Sequence, residues 1–226
     1  MEKIALVTGS SRGIGRAVAR ELARQGWRVC VNYRVRQDCA ESLAAELAAE
    51  GHEAMIYQAD VSRRQEVQAM VRAIQEKWGP VSLLVNNAGV AGQALFQDVT
   101  DEMWHRYFST NVDGAYHAIQ AVLPAMLRAH EGCILNISSI WGQRGASCEV
   151  TYSATKGALI AVTHGPIWRP PRKYSFSPAP FSLKTKNTPM ASISVHRTMT
   201  RASSLDIDIR RTYKVKQTAV HLWLPP

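Results

Sequence analysis

Strands and helices alternate along the first 164 residues, and the alternation begins with a strand, a glycine-rich turn and a helix. Ile4–Val7 is a short apolar run, as expected of a buried parallel strand. The turn Thr8–Gly15, with the sequence Thr-Gly-Ser-Ser-Arg-Gly-Ile-Gly, follows it and leads into a helical pattern from Arg16 to Gln25. This order predicts a Rossmann-like α/β fold, with helices wound on both faces of a parallel sheet.

The turn has the composition of a site for the phosphates of a dinucleotide. Gly9 permits a tight turn, while Gly13 and Gly15 allow a phosphate and the strand to approach the helix closely. The N-terminus of the helix offers free amides and a positive dipole to a pyrophosphate. We therefore predict a dinucleotide site with contacts from Gly9, Ser11, Arg12, Gly13, Ile14 and Gly15.

The end of the second predicted strand, Arg28–Tyr33, bears on the choice of cofactor. NAD-preferring sites usually carry an acidic residue there, which holds the ribose hydroxyls. Here the strand ends in Asn32-Tyr33-Arg34-Val35-Arg36, and Arg12 lies in the nearby turn. Because guanidinium groups suit a 2′-phosphate, we predict NADPH (NADP) as the cofactor, with Arg34 as a contact. The alternative is that these arginines are merely solvated.

The later elements continue the alternation. Further strands are predicted at Ala54–Gln58, Val81–Val85 and Gly132–Ile137. Helices are predicted at Asp38–Glu50 and from the capping-box pattern Ser62–Gln65 to Lys77. A long helix is predicted from Asp101 to about Ala129, with a kink at Pro124. The last helix is predicted to begin after a loop at Gly142–Val150.

Tyr152 and Lys156 are four residues apart in the last predicted helix, so both side chains lie on one face. An ammonium beside a phenol favours the phenolate and lowers the tyrosine pKa. Such a pair can pass a proton to or from a substrate oxygen, and Ser139, thirteen positions upstream, is placed to hydrogen-bond the same oxygen. The alternative is a surface helix with a chance Tyr and Lys.

These features together resemble the short-chain dehydrogenase/reductase family. The matching pieces stand in the family's order, at Thr8-Gly9, Gly13–Gly15, Asp60-Val61, Asn86–Gly89, Asn111, Ser139, Tyr152 and Lys156. The resemblance implies that Tyr152 is the general acid in carbonyl reduction and that Lys156 lowers its pKa and binds the nicotinamide ribose. It also implies that Ser139 polarises the carbonyl and that Asn111 holds a water in a proton relay.

The same resemblance implies contacts with the cofactor. Asp60 and Val61 would flank the adenine, while Asn87, Ala88 and Gly89 would line the cofactor cleft. Structural alternatives remain open: Asp60 as a loop residue, Asn111 as a packing residue within a helix, and Ser139 as the cap of a strand.

Within the family, the chain is most similar to the 3-oxoacyl-[acyl-carrier-protein] reductases of fatty acid biosynthesis. This similarity implies a small-molecule or carrier-protein-bound carbonyl substrate, most simply a 3-oxoacyl thioester. The stretches Ser138–Gly142 and Gly145–Val150 also resemble a narrower bacterial group, which reduces the 5-aminopentanone modification of translation elongation factor P. Both substrates stay open.

The chain changes character near His164. Residues 165–226 hold 11 of the 27 Lys and Arg but two of the 18 Asp and Glu, so they account for the whole net charge of +9. We predict an incomplete NAD(P)-binding domain at 1–164 and an irregular, basic Pro/Ser-rich tail at 165–226, which lacks the family's last strands. Short strands are predicted within it at Ile193–Val195 and Asp206–Ile209.

Two explanations of the tail remain open. The abrupt change in the middle of a helix predicts a shifted reading frame near codon 164. The alternative is a genuine basic tail that binds nucleic acid or an acidic partner, attached to a non-catalytic nucleotide-binding remnant; nucleic acid is the less expected partner. A chain without the last strands is expected to expose a sheet edge, to turn over weakly or not at all, and to form the family's homotetramers poorly.

The remaining composition argues for an ordinary cytoplasmic enzyme. The four cysteines form no CxxC pair, which predicts reduced thiols, and the histidines lack metal-ligand spacing, which predicts no metal site. No apolar run is long enough to span a membrane and no signal peptide is visible, so we expect no membrane partner.

Overall fold

The computed structural model describes residues 2–164 and 219–224, and helices and strands alternate in it as predicted. The strands are β1 (Ile4–Val7), β2 (Arg28–Tyr33), β3 (Ala54–Gln58), β4 (Leu83–Asn86), β5 (Gly132–Ile137) and β6 (Ala219–Leu224). The helices are α1 (Gly13–Arg24), α2 (Gln37–Ala49), α3 (Arg64–Trp78), α4 (Asp101–Phe108), α5 (Gly114–Ala129), α6 (Trp141–Arg144) and α7 (Val150–His164).

The strands form one sheet in the order β3-β2-β1-β4-β5-β6. The first five strands in this order are parallel, which confirms the predicted Rossmann-like fold. The chain passes from β1 to β2 on one side and later returns to β4 on the other, so the strand order reverses between β1 and β4. In sheets of this kind, ligands bind outside the carboxyl ends of the strands at such a switch point.

Both faces of the sheet are covered by helices, which explains why its strands read as continuous apolar runs. Side chains alternate along each strand, so Ile4 and Leu6 of β1 belong to a core with α3 and α5. Ala5 and Val7 belong to a second core with α1 and α2. The predicted bounds of β1, β2, β3 and β5 agree with the structure residue for residue.

The expectation that the tail leaves the outer edge of β5 exposed is wrong. Residues 219–224 form β6, which pairs antiparallel with β5 from Gly132↔Leu224 to Ile137↔Ala219. The physical reason is that the backbone groups on the outer side of β5 require hydrogen-bond partners, and an antiparallel strand supplies them. The strands predicted at Ile193–Val195 and Asp206–Ile209 lie outside the described residues.

Three local predictions also differ from the structure. The long helix predicted after Asp101 is interrupted by a π-helical turn at Ser109–Asp113. Pro124 lies inside α5, and the kink at this residue stays a prediction. The Ser62 hydroxyl caps no helix and donates instead to Asp60 Oδ1 at 2.7 Å. Part of the predicted loop Gly142–Val150 belongs to the short helix α6. For the π-helical turn, the side chain of Asn111 bonds to Val90 and Thr155, which are distant in the sequence and therefore absent from a local pattern.

Candidate active site

Hydrogen bonds join the glycine-rich turn to the end of β4. The Thr8 hydroxyl accepts bonds from the backbone amides of Asn87 (3.0 Å) and Ala88 (3.1 Å). The side-chain amide of Asn87 donates in return to the backbone carbonyls of Thr8 and Gly9, both at 3.0 Å. Two of the predicted cofactor-binding segments therefore meet at the switch point between β1 and β4.

The glycines of the turn meet different spatial requirements. Gly9 has a φ of +61°, and a Cβ atom there would lie 2.8 Å from the Cα of Ala88. At Gly15, a Cβ would overlap the Asn87 side-chain amide and lie 2.6 Å from the carbonyl oxygen of Gly9. Gly13 has a φ of +58°, and no atom of the described residues lies within 4 Å of its Cβ position.

The N-terminus of α1 fits a dinucleotide phosphate. Its first turn contains no acidic side chain, so its free amides and dipole meet no competing negative charge. Arg12 is exposed beside it, and its guanidinium has no ion-pair partner within the described part of the chain. Ser11 is buried, and Ile14 packs against the core that contains α1 and α2.

Asn32, at the end of β2, holds the turn in place and was not identified from the sequence as a site residue. Its Oδ1 accepts from the Gly9 amide at 3.0 Å, and its Nδ2 donates to the Ala59 carbonyl at 3.1 Å. Its own backbone amide donates to the Ser10 hydroxyl at 3.1 Å. One buried side chain thus links the ends of β1, β2 and β3. The available signal was an amide side chain directly after the apolar residues 29–31 of β2.

The arginines after β2 differ in how firmly they are paired. Arg36 makes two short bonds to Asp38, with Nε–Oδ1 at 2.9 Å and Nη2–Oδ2 at 2.6 Å. Arg34 makes only a 3.5 Å contact, from its Nη1 to Asp60 Oδ2. Although burial acts to raise the pKa of Asp60, hydrogen bonds from Ser62 and the Arg34 charge hold it below its ordinary value. Arg34 therefore lies beside the predicted adenine pocket with its guanidinium loosely held.

Val61, the other residue expected to flank the adenine, packs against the start of α5. Its side chain is 5% exposed, and a Cβ at Gly114 would lie only 2.7 Å from its Cγ2. The backbone carbonyl of Val61 lies 3.0 Å from Nδ1 of His117. The position of the Asp60-Val61 loop therefore depends on α5.

The structure brings Ser139, Tyr152 and Lys156 together beyond the carboxyl end of β5. Ser139 follows β5, and its hydroxyl is close enough to the phenol of Tyr152 on α7 to act on the pKa of that phenol. The Lys156 ammonium lies 5.7 Å from the centre of the Tyr152 ring and donates to the Ile137 carbonyl at 2.8 Å. All three side chains are at least nine-tenths buried. Phenol, hydroxyl and ammonium groups thus converge on one spot.

The pKa of Tyr152 runs against the sequence prediction. Burial raises it above its ordinary value, the Ser139 hydrogen bond acts to lower it, and the nearby Glu149 carboxylate adds to the rise. The expected lowering by Lys156 is absent because that ammonium lies over the ring and bonds to Ile137. Burial also lowers the pKa of Lys156 to about 8. A protonated phenol at neutral pH is the form that a general acid requires.

Asn111, in the π-helical turn, fixes the loop after β4. Its Oδ1 accepts from the Val90 amide at 2.7 Å, and its Nδ2 donates to the Val90 carbonyl (2.9 Å) and to the Thr155 hydroxyl (3.0 Å). A Cβ at Gly89 would lie 3.2 Å from Asn111 Oδ1 and 3.6 Å from Lys156 Nζ. Asn111 therefore lies close to the predicted catalytic group, with its amide engaged by protein atoms; its role in a water relay stays a prediction.

Close packing of α6 fixes the position of α7. A Cβ at Gly142 would lie 2.6 Å from the carbonyl carbon of Lys156 and 2.8 Å from the amide nitrogen of Gly157. The Ser138 hydroxyl donates to the Lys156 carbonyl at 2.7 Å. The segment that resembles the narrower bacterial group therefore bears directly on the helix with Tyr152.

A small pocket opens beside Tyr152. Its walls come from the loop after β4, from α4 and from the segment before α7, and its lining residues are Gly92, Ala94, Val99, Met103, Tyr107, Cys148, Glu149, Val150, Thr151 and Tyr152. No sequence pattern identified Tyr107, because it reaches the pocket only through tertiary packing. Glu149 belongs to the stretch Gly145–Val150, which resembles the narrower bacterial group. The pocket combines an apolar wall with a carboxylate and three hydroxyls.

The described residues contain neither a metal centre nor a membrane-spanning helix. No group of three or more His, Cys, Asp or Glu side chains there is arranged to hold a metal ion. None of the helices in that part of the chain is long and apolar enough to cross a bilayer.

Comparisons with known proteins identify a family. The profile of the short chain dehydrogenase family matches residues 3–166. The 3-oxoacyl-[acyl-carrier-protein] reductase FabG of Staphylococcus epidermidis is 41% identical over 163 residues, which cover 72% of this chain and 67% of the relative. That of Staphylococcus aureus is 39% identical over 163 residues (72% and 66%), and the reductase of Synechocystis is 37% identical over 161 residues (71% and 65%).

Proposed function

The chain belongs to the short-chain dehydrogenase family of NAD(P)-dependent oxidoreductases, and on this premise we propose that it reduces the ketone of a 3-oxoacyl thioester with NADPH. The observation that carries the proposal is the convergence of three buried side chains, Ser139, Tyr152 and Lys156, with the Lys156 ammonium 5.7 Å from the centre of the Tyr152 ring. The names of the relatives favour a carrier-protein-bound substrate. We likewise propose that residues 1–164 are the nucleotide-binding unit.

Each site residue has a separate role in such a reduction. When bound, NADPH supplies a hydride to the carbonyl carbon. Ser139 donates a hydrogen bond to the carbonyl oxygen, and Tyr152 gives that oxygen its phenolic proton as negative charge develops. Lys156 stabilises the phenolate that remains, and Asn111 keeps the neighbouring loop in register. A Tyr152 that is protonated at rest suits the reductive direction.

The proposed function is tested by following NADPH oxidation at 340 nm with an acetoacetyl thioester as substrate. Oxidation that requires both the thioester and the protein supports the proposal. A full-length chain that binds NADPH, melts cooperatively and oxidises none of it would contradict the proposal. That outcome would favour the alternative of a nucleotide-binding remnant.

Replacing Arg34 by Ala should weaken NADPH binding about tenfold and leave NADH binding nearly unchanged. The physical reason is that a charge-assisted hydrogen bond to the 2′-phosphate is lost, and NADH has no such phosphate. The measurement is a titration of each cofactor followed by nucleotide fluorescence.

Arg36→Ala is the matched control for Arg34→Ala, because Arg36 is exposed and bound to Asp38. It should change neither affinity by more than twofold. Equal weakening of NADH and NADPH binding in Arg34→Ala would argue against a 2′-phosphate contact.

A second candidate function is reduction of the 5-aminopentanone modification on elongation factor P. The observation that favours it is Glu149, a half-buried carboxylate in the pocket wall, close enough to Tyr152 to raise its pKa. A carboxylate at this place attracts a substrate that carries an ammonium group and disfavours an anionic one.

Replacing Glu149 by Gln keeps the size of the side chain and removes its charge. For an amino ketone such as 1-amino-4-pentanone, we expect kcat/KM to fall about three- to tenfold relative to a neutral ketone of equal length. The measurement is the ratio of the two kcat/KM values at fixed NADPH. An unchanged ratio would remove the charge argument for this substrate.

A further inference from the structure

Tyr107 on α4 is a buried residue whose hydroxyl the catalytic arrangement does not use. The residue is 4% exposed, and its oxygen makes no hydrogen bond with any part of the chain that the structure describes. The oxygen is not one of the fully enclosed polar atoms, so it keeps access to the pocket that Tyr107 lines. Tyrosine hydroxyls at buried positions normally find a partner, so an unpaired one that opens into a pocket is placed to bind a ligand.

The surroundings of Tyr107 direct its hydroxyl into the pocket beside Tyr152. A Cβ at Gly92 would lie 2.6 Å from the Tyr107 oxygen, so only a glycine there leaves room for the hydroxyl. The loop with Gly92 is held on both sides, by Asn111 at Val90 and by the Ala94 amide, which donates to the Cys148 carbonyl at 2.8 Å.

A second hydroxyl in the same pocket shares this property. Thr151 is 5% exposed, and its Oγ1 has no hydrogen-bond partner among the described residues. Tyr107 comes from α4 and Thr151 from the start of α7, so two separate elements place unpaired hydroxyls around one small volume. The reacting carbonyl is already served by Ser139 and Tyr152, so these hydroxyls are free for a different atom of the substrate.

We propose that the Tyr107 hydroxyl binds a second carbonyl oxygen of the substrate, next to the reacting ketone, and so selects 3-oxo thioesters and 3-oxo esters over simple ketones. This inference rests on the proposed reductase function and adds a specificity residue to it. Tyr107 donates the hydrogen bond, and Thr151 is the neighbouring donor. The reacting groups remain Ser139, Tyr152 and Lys156.

Tyr107→Phe tests the inference, because it removes one oxygen and keeps the ring that packs in α4. Two substrates are compared in the full-length protein: an acetoacetyl thioester and a simple ketone of equal length without the second carbonyl. The preference for the thioester, as the ratio of the two kcat/KM values, should fall about three- to tenfold through the KM of the thioester. An unchanged ratio would overturn the inference.

A binding measurement separates this inference from the reductase proposal. If the wild-type protein oxidises no NADPH, the reductase proposal fails; the role of Tyr107 is then decided by calorimetric titration of the thioester into protein saturated with NADP⁺. Affinity about three- to tenfold weaker in Tyr107→Phe, at an unchanged melting temperature, supports the inference. Equal affinity of the two proteins, or no binding to the wild type, overturns it.

Discussion

Replacing Tyr152 by Phe should lower the rate of carbonyl reduction by about 100- to 10,000-fold, because the variant has no phenolic proton to give to the substrate oxygen. The ring and its contact with Lys156 are kept, so NADPH affinity should change by less than threefold. The measurement is kcat for an acetoacetyl thioester together with an NADPH titration of the same preparation.

Tyr116→Phe provides the matched control for the loss of a phenol. Tyr116 lies on α5, is 47% exposed and contacts Arg64 rather than the site. We expect its removal to leave kcat within twofold. Reduction by Tyr152→Phe within tenfold of the wild-type rate would mean that another group supplies the proton. Partner binding through residues 165–226 would be unaffected by either variant.

The second large effect is expected from replacing Gly15 by Ala. The new methyl group would meet the Asn87 side-chain amide, the Gly9 carbonyl oxygen at 2.6 Å and the Ser10 Cα at 2.8 Å. Two of these three atoms belong to the backbone and cannot rotate away. We expect a loss of about 1–3 kcal/mol in the free energy of unfolding and at least a tenfold loss of NADPH affinity, because the turn must open.

Thermal unfolding and an NADPH titration check this expectation. Gly26→Ala is the control, because Gly26 has a φ of +80° and open space around its Cβ position. That variant should lose about 1 kcal/mol from backbone strain and keep its NADPH affinity. If Gly15→Ala binds NADPH as tightly as the wild type, the turn is not the phosphate site.

Short-range patterns in the sequence predicted the sheet well. Four runs of mainly apolar residues, each next to a helical pattern or a glycine, were predicted as strands. Each is a strand with the predicted bounds: Ile4–Val7, Arg28–Tyr33, Ala54–Gln58 and Gly132–Ile137. The spacing of Tyr152 and Lys156 likewise predicted one helix face. Each of these features depends on a segment of about ten residues, so it can be predicted before any tertiary contact is known.

Other features of the site depend on residues that are far apart in the chain. Asn32 bonds to Gly9 and to Ala59, and Asn87 bonds to Thr8 across 79 positions. The π-helical turn at Asn111 is tied to Val90, and Tyr107 of α4 lines the same pocket as Tyr152 of α7. A local pattern carries no information on such pairs, which is why the pocket was not predicted.

The sequence by itself determined the order of strands and helices, the glycine turn and the identities of the groups that carry the proposed chemistry. Only the tertiary structure decided that β6 pairs with β5 and that the pKa of Tyr152 is raised rather than lowered. The physical reason is that the backbone conformation of a segment depends mainly on neighbouring residues, which the sequence displays. The pKa of a phenol depends on its burial, and the pairing of a strand edge depends on which segment lies beside it; both are set by the whole fold.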